Sequence, residues 1–226
     1  MSSVRTRNPL SRNLTWSLVL VTVFLVVVTV IVVVVEVAGR ADTGPGGAGD
    51  GTAVREDSRV LSEAPEGAPV LVEFLDFECE ACGAWYPHIE QLRADYDGRV
   101  QFVARYFPLP GHKSSVDAAL AVEAAAQQGQ MEQMYNRMYE TQTQWGESPT
   151  SQKDLFRTFA EDLDLDMAEF DRVVADPATL ERVQSDVDDG IALGVQGTPT
   201  FFLDDRKIEP QSPGEMRDLL EAALDD

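Results

Sequence analysis

Apolar positions along this chain fall into three kinds of run. The first is continuous. From Asn13 to Val35, "NLTWSLVLVTVFLVVVTVIVVVV", no residue is charged. Its apolar part, Leu14–Val35, would measure about 33 Å as a helix, enough for a hydrocarbon core of about 30 Å. The many valines do not oppose a helix, because in lipid the backbone must bond to itself whatever its propensity. A signal-peptide core is shorter, at about 7–15 residues, and charged Glu36 spoils the cleavage context before Ala38. The run therefore reads as an uncleaved transmembrane anchor. The second kind of run is short and strand-like. "APVLVEFLDF", Ala68–Phe77, is almost wholly apolar, as in a central strand buried on both faces. Val100–Phe107 makes a second strand, and "TPTFFLDD" a third that turns at Asp204–Asp205 into "RKIEP". That turn lacks the glycine hairpins favour. The third kind has helical spacing. One such segment begins at Cys79–Cys82 and reaches about Tyr96. A long region follows, from "SSVDAALAVEAAAQQG" to "PATLERVQSDVDDGIALG", with Pro177 at a helix start and Gly194 at a stop. "SPGEMRDLLEAALDD" closes the chain as an amphipathic helix.

The order is β-α-β, a helical block, then β-β-α. Such an order makes a small mixed sheet covered by helices, an α/β class, with the helical block inserted at one end. The chain divides into a cytoplasmic N-terminus at 1–12, the anchor at 13–35, a linker at 36–58 and a folded domain at 59–226. The insertion spans about 111–193. The linker contains "AGRADTGPGGAGDGTA", which is rich in small residues and has no apolar period.

Charge sharpens the picture. The net charge is -21 over 226 residues, while residues 1–12 carry Arg5, Arg7 and Arg12 and no acid. Basic residues before the apolar run and acidic ones after it predict the N-terminus inside and the bulk outside. The acidity argues against nucleic acid as a partner, and against docking flat on an anionic membrane. Lipid contact is assigned to the anchor alone.

The only two cysteines, Cys79 and Cys82, lie three apart in "FECEACGAW". A purely structural disulfide would close a tiny loop and restrain little. A structural zinc site would need two more ligands, and His88 and His112 are the only histidines. A c-type haem would need histidine at position 83, which is Gly83. A redox pair fits better, because strand–CxxC–helix inside a β-α-β pattern has a mechanism. Cys79 at the helix N-terminus would be favoured as a thiolate and exchange with a substrate, and Cys82, one turn in, would resolve the mixed disulfide. No metal or cofactor is required. Glu73 shares a strand face with Leu71, Leu75 and Phe77, so it reads as a buried acid of raised pKa that relays a proton for Cys82. A partly solvated strand carboxylate is the alternative. Thr198-Pro199 opens the third strand. A cis Pro199 would free the Thr198 backbone to pair with an extended substrate, while a trans proline at an edge is equally consistent with the sequence. Trp85 lines either a substrate groove or the core. His88 and His112 read as surface or packing residues, and Met131, Met134 and Met138 as core.

"VLVEFLDFECEACGAWYPHIEQL", "YFPLPGHKSSVDAALAVEAAAQQGQMEQMYNRMY" and "GVQGTPTFFLDD" together resemble the DsbA-like thiol:disulfide oxidoreductases. The resemblance covers nearly all of 59–226. It implies a thioredoxin fold with a helical insertion, catalytic roles for Cys79 and Cys82, a buried acid at Glu73 and a cis-proline substrate loop at Thr198 and Pro199. It further implies a membrane-tethered enzyme outside the cytoplasm that oxidises reduced or unfolded exported proteins, with a membrane partner that reoxidises it. A reductase or isomerase of the same fold is the alternative, as is a non-catalytic binding module with a structural disulfide. One departure stands out: strongly oxidising members carry a histidine between the cysteines, where this chain has Glu80-Ala81. Asp76, Glu78 and Glu80 also crowd the site, so the sequence predicts a partly offset helix dipole and a milder oxidant.

Overall fold

The computed structural model describes residues 51–225. The expected N-terminus, the anchor at 13–35 and most of the linker lie outside the described residues. Among the described residues no helix is long and apolar enough to cross a membrane.

Five strands form one sheet in the order β1-β3-β2-β4-β5. Strand β1 is Arg59–Ser62, β2 Val70–Leu75, β3 Gln101–Tyr106, β4 Thr200–Leu203 and β5 Arg206–Ile208. The near-continuous apolar run of β2 puts it at the centre, where both faces are covered. It pairs parallel with β3, Val70 opposite Gln101 through Leu75 opposite Tyr106, and antiparallel with β4. Helix α1, Glu80–Asp95, makes the crossover between the parallel strands. Six helices separate β3 from β4: α2 Ser115–Ala126, α3 Met131–Glu140, α4 Gln142–Trp145, α5 Lys153–Asp162, α6 Met167–Ala175 and α7 Pro177–Ala192. The last helix is α8, Pro213–Asp225.

Local chemistry sets several boundaries. Pro177 opens α7, and the Asp176 carboxylate accepts from Ala178 N–H. Gly194, at φ 79°, ends that segment. Asp204 and Asp205 both adopt positive φ, 49° and 62°, so the hairpin forms without glycine. Asp204 Oδ1 also accepts from Val70 N–H at 2.8 Å, tying the turn to β2.

The two faces of the sheet bury different sets. Val72, Phe74, Val103 and Phe202 pack with Phe107 and Val195 on one face. On the other, Leu71, Phe102, Phe201 and Leu203 meet Ile89 and Leu92 of α1 and Met216 and Leu220 of α8. Leu75, Phe77 and Tyr106 continue into the helical block, which includes fully buried Met134 and Met138. Met131 packs only at its margin.

Two expectations need correction. The sequence gives no sign of β1, a half-buried RVLS segment that owes its strand form to antiparallel pairing with β3. The linker expected to reach 58 gives way to packed chain by Ala53. Ala53 is 1% exposed, and the Thr52 and Ala53 carbonyls accept from Arg105, at 2.9 and 2.7 Å. Arg105 is itself fully buried against Asp186 and Asp189 of α7. A buried guanidinium needs acceptors on every side, and this leading strap supplies two of them.

Candidate active site

Strand β2 ends at Leu75, and Asp76–Cys79 carry the chain over the sheet end into α1. Cys79 is the N-cap of α1, with φ −72° and ψ 121°, and its side chain makes no capping bond. The sulfur is thereby left free at a helix start whose N–H groups favour negative charge. Three contacts fix the loop. Gln142 Nε2 of α4 donates to the Phe77 and Cys79 carbonyls, both at 2.8 Å. The Asp76 carboxylate accepts from Glu78 N–H and Leu109 N–H, each at 2.8 Å, and lies 2.6 Å from His112 Nδ1. The Glu78 carboxylate accepts from Ser114 N–H at 2.6 Å. The loop before the cysteines is thus laced to the β3–α2 loop and to α4.

Both sulfurs are thiols here. Cys79 is 7% exposed and Cys82 1%, so the first is the more open of two largely covered groups. Cys79 Sγ donates to the Thr198 carbonyl at 3.3 Å, across the cis Thr198–Pro199 bond that begins β4. The Cys79 thiol is pulled down to about 5, first by a hydrogen bond from Cys82. Burial works against this, while the Thr198 side chain and the N–H groups of Cys82 and Ala81 add to it. Thr198 Oγ1 is buried and has no hydrogen-bond partner. Cys82 moves the opposite way, well above its ordinary value, by burial, its bond to Cys79 and the charge of Glu73. One sulfur is therefore ionised near neutrality and the other holds its proton.

Glu73 is buried, and burial pushes its carboxyl up to about 8, with the charges of Cys79 and Glu90 adding. The buried reading of Glu73 is the correct one of the two. Around it lie the buried, unpartnered hydroxyls of Tyr135 and Tyr139, which feel its charge. Asp76 and Glu78 are buried and spent on N–H donors and His112, while Glu80 is exposed.

Trp85 is half-buried, its ring 5.2 Å from that of Phe201. With Pro199, Phe201, Lys207 and Ile208 it lines a cleft of ≈ 330 Å³. A second cleft, ≈ 480 Å³, runs past Glu78, Glu80, Gly83, Gln142 and Glu147. Cys79, Cys82, Glu73, Thr198 and Pro199 thus meet at one sheet end, with Trp85 beside Pro199. Among the described residues no group of three His, Cys, Asp or Glu side chains stands in metal-holding geometry. His88 is exposed on α1, as expected of a surface residue. His112, expected at the surface or in packing, is half-buried and meets the active-site loop at Asp76. Parallel β2 and β3 end on the same edge, so the segment after β3 was the place to look. Gln142 had no comparable signal, since only the packing of α4 brings it to the loop.

A family model described as Thioredoxin matches residues 63–222. The chain is 39% identical over 145 residues to the Na(+)/H(+) antiporter NhaA 3 of Salinispora tropica, covering 63% of this chain and 21% of that protein. It therefore spans about a fifth of the length of that relative. A thioredoxin-like oxidoreductase from Silicibacter pomeroyi superposes with TM-score 0.64 at 26% identity, over 76% of this chain and 95% of that one. BdbD from Bacillus subtilis superposes with TM-score 0.66 at 21% identity, over 79% and 97%. With the helical block set between β3 and β4 and the family match running through both motifs, this chain belongs to the thioredoxin family.

Proposed function

We propose that this protein is a thiol:disulfide oxidoreductase that acts as a dithiol oxidase on exported proteins, held outside the cytoplasm by the apolar run at 13–35. The observation that carries the reading is the opposed behaviour of the two sulfurs: Cys79 is pulled down to about 5 and Cys82 pushed up by burial. The reaction starts from the Cys79–Cys82 disulfide. A substrate thiolate attacks Cys79 Sγ, the bond to Cys82 breaks, and Cys82 leaves with the electron pair. Glu73, neutral at neutral pH because burial raises it to about 8, gives Cys82 the proton it needs. A second substrate thiolate then attacks the substrate sulfur of the mixed disulfide, and Cys79 leaves as a stable thiolate. The substrate has lost two electrons and the enzyme has gained them. Stabilising the reduced form in this way makes the disulfide the stronger oxidant. Thr198, whose carbonyl faces Cys79, offers backbone to an extended substrate beside Pro199, and Trp85 and its cleft take the flanking side chains.

Reoxidation calls for a second disulfide or quinone-linked partner in the membrane. The name of the Silicibacter pomeroyi oxidoreductase is consistent with this chemistry.

The test is refolding of a reduced, disulfide-containing substrate. The oxidised protein should form the disulfide, Cys79→Ser should abolish turnover, and Cys82→Ser, which cannot form the internal disulfide, should be inactive on the reduced substrate but be trapped on a substrate disulfide that its Cys79 thiolate attacks. Alkylation in intact cells should find the pair mostly oxidised. A mostly reduced pair would move the assignment to a reductase or isomerase, and turnover that survives Cys79→Ser would end it.

A further inference from the structure

We propose that His112, held by Asp76, is a positioning residue that places a positive charge beside the Cys79 thiolate and so makes the oxidising power of the pair depend on pH. The inference deepens the redox reading above and rests on it. The β3–α2 loop has no need of a histidine to close: His112 N–H donates to the Leu109 carbonyl, and Ser115 Oγ lies 3.4 Å from the Leu109 and His112 carbonyls. The imidazole is instead directed at the cysteine loop, its Nδ1 2.6 Å from Asp76 Oδ2. Asp76 is the residue whose main-chain carbonyl accepts from Cys79 N–H, at 3.1 Å, and its carboxylate braces Glu78 N–H. One carboxylate thus couples the ring to the backbone that carries the sulfur.

The groups facing His112 are few. Asp76, Glu78 and Cys79 come from the loop before α1 and Glu80 from its first turn; Lys113 adjoins in sequence only. Partial burial acts to lower the histidine's proton affinity, but the bond to Asp76 and the charges of Asp76, Glu78 and Cys79 outweigh it, so the ring holds its proton above the ordinary range. Burial pushes the Asp76 carboxyl up, while the bonds from Leu109 N–H, Glu78 N–H and His112 act the other way. The leading supports of the thiolate remain hydrogen bonds. His112 adds a smaller charge–charge contribution, of the kind that exposed pairs make, worth about a three- to fivefold change in an equilibrium. Because the imidazolium stabilises the thiolate and not the disulfide, reduction must tighten its hold on the proton by the same factor.

The experiment follows the imidazole signals of the full chain in detergent by NMR against pH, in the oxidised and the reduced state. Exposed His88 serves as internal control. His112 should bind its proton about three- to fivefold more tightly in the reduced protein, and His88 should not differ. In parallel, the equilibrium of the protein disulfide with two reduced glutathiones, giving dithiol and glutathione disulfide, is measured for wild type and His112→Gln. The variant should be the weaker oxidant by the same factor at mildly acidic pH, and the gap should close as pH rises and the wild-type ring deprotonates. Equal His112 titrations in the two redox states overturn the proposal, and so does a variant offset that stays constant with pH. Neither measurement needs substrate turnover. A coupled His112 in a protein that fails the refolding assay would sink the oxidase reading and leave this one standing.

Discussion

Two residues beneath the cysteines, Glu73 and Gln142, each make a prediction of their own. Glu73 is neutral in the fold up to about pH 8, whereas in the unfolded chain it ionises near 4.5. The folded pKa is the raised one, so its stability contribution is complete below about 4.5 and is lost as pH climbs toward 8. Wild type should therefore lose stability relative to Glu73→Gln across that window, by up to about 1.4 kcal/mol per pH unit. Denaturant midpoints of the two proteins at several pH values check this. The same substitution should slow release of Cys82 and remove the dependence of exchange rate on a group titrating near 8. Gln142 is the second case. Its amide holds the Phe77 and Cys79 carbonyls, both buried, and Gln142→Leu leaves them without that donor. The expected cost is about 1–3 kcal/mol, with faster amide exchange at Cys79 and Gly83 as the local sign. The sequence made Glu73 legible, because a lone acid in an apolar strand run has little choice of surroundings. It could not reveal Gln142, a polar residue in a polar stretch whose partners are 65 and 63 positions away.

At the scale of elements, the strand and helix order could be read because each run matched one period over its length. β2, α1, α7 and the β4–β5 hairpin all fall where the apolar pattern and the Pro177 and Gly194 punctuation put them. β1 escaped notice because an edge strand of four half-buried residues has no pattern of its own; its partner supplies the ladder. The strap at 51–55 escaped for a related reason. Its place is set by Arg105, Asp186 and Asp189, charges far from the strap in sequence. Removing one member of a fully buried pair strands the other, so Asp186→Ala should destabilise the fold by about 3–5 kcal/mol. Limited proteolysis should then cut near the strap first. The helix start around the cysteines carries a tighter steric demand. A Cβ at Gly83 would collide with Gln142 Oε1, so Gly83→Ala must push that side chain off the active-site carbonyls. Its effect on thiol exchange should resemble that of Gln142→Leu.

For the molecule as a whole, the redox state and the fold are linked. Cys79 is the depressed group, at about 5 against an ordinary 9, so its contribution to the reduced fold grows as pH rises from about 5 toward 9 and is absent below. The melting temperature of the reduced protein, measured against that of the oxidised one, should rise across this range; a difference that stays flat would contradict the assignment of the ionised sulfur. The sheet also divides labour between its faces. Arg105 lies over the ring of Phe74 on one face, while α1 packs against the other through Ile89 and Leu92. The strap grips the first face, and the cysteine loop is braced separately by Gln142, His112 and Ser114. Traction on the leading segment would accordingly load a knot of charges on the side away from the sulfurs, so the protein can be tugged by its N-terminal end while the geometry of thiol exchange stays at rest.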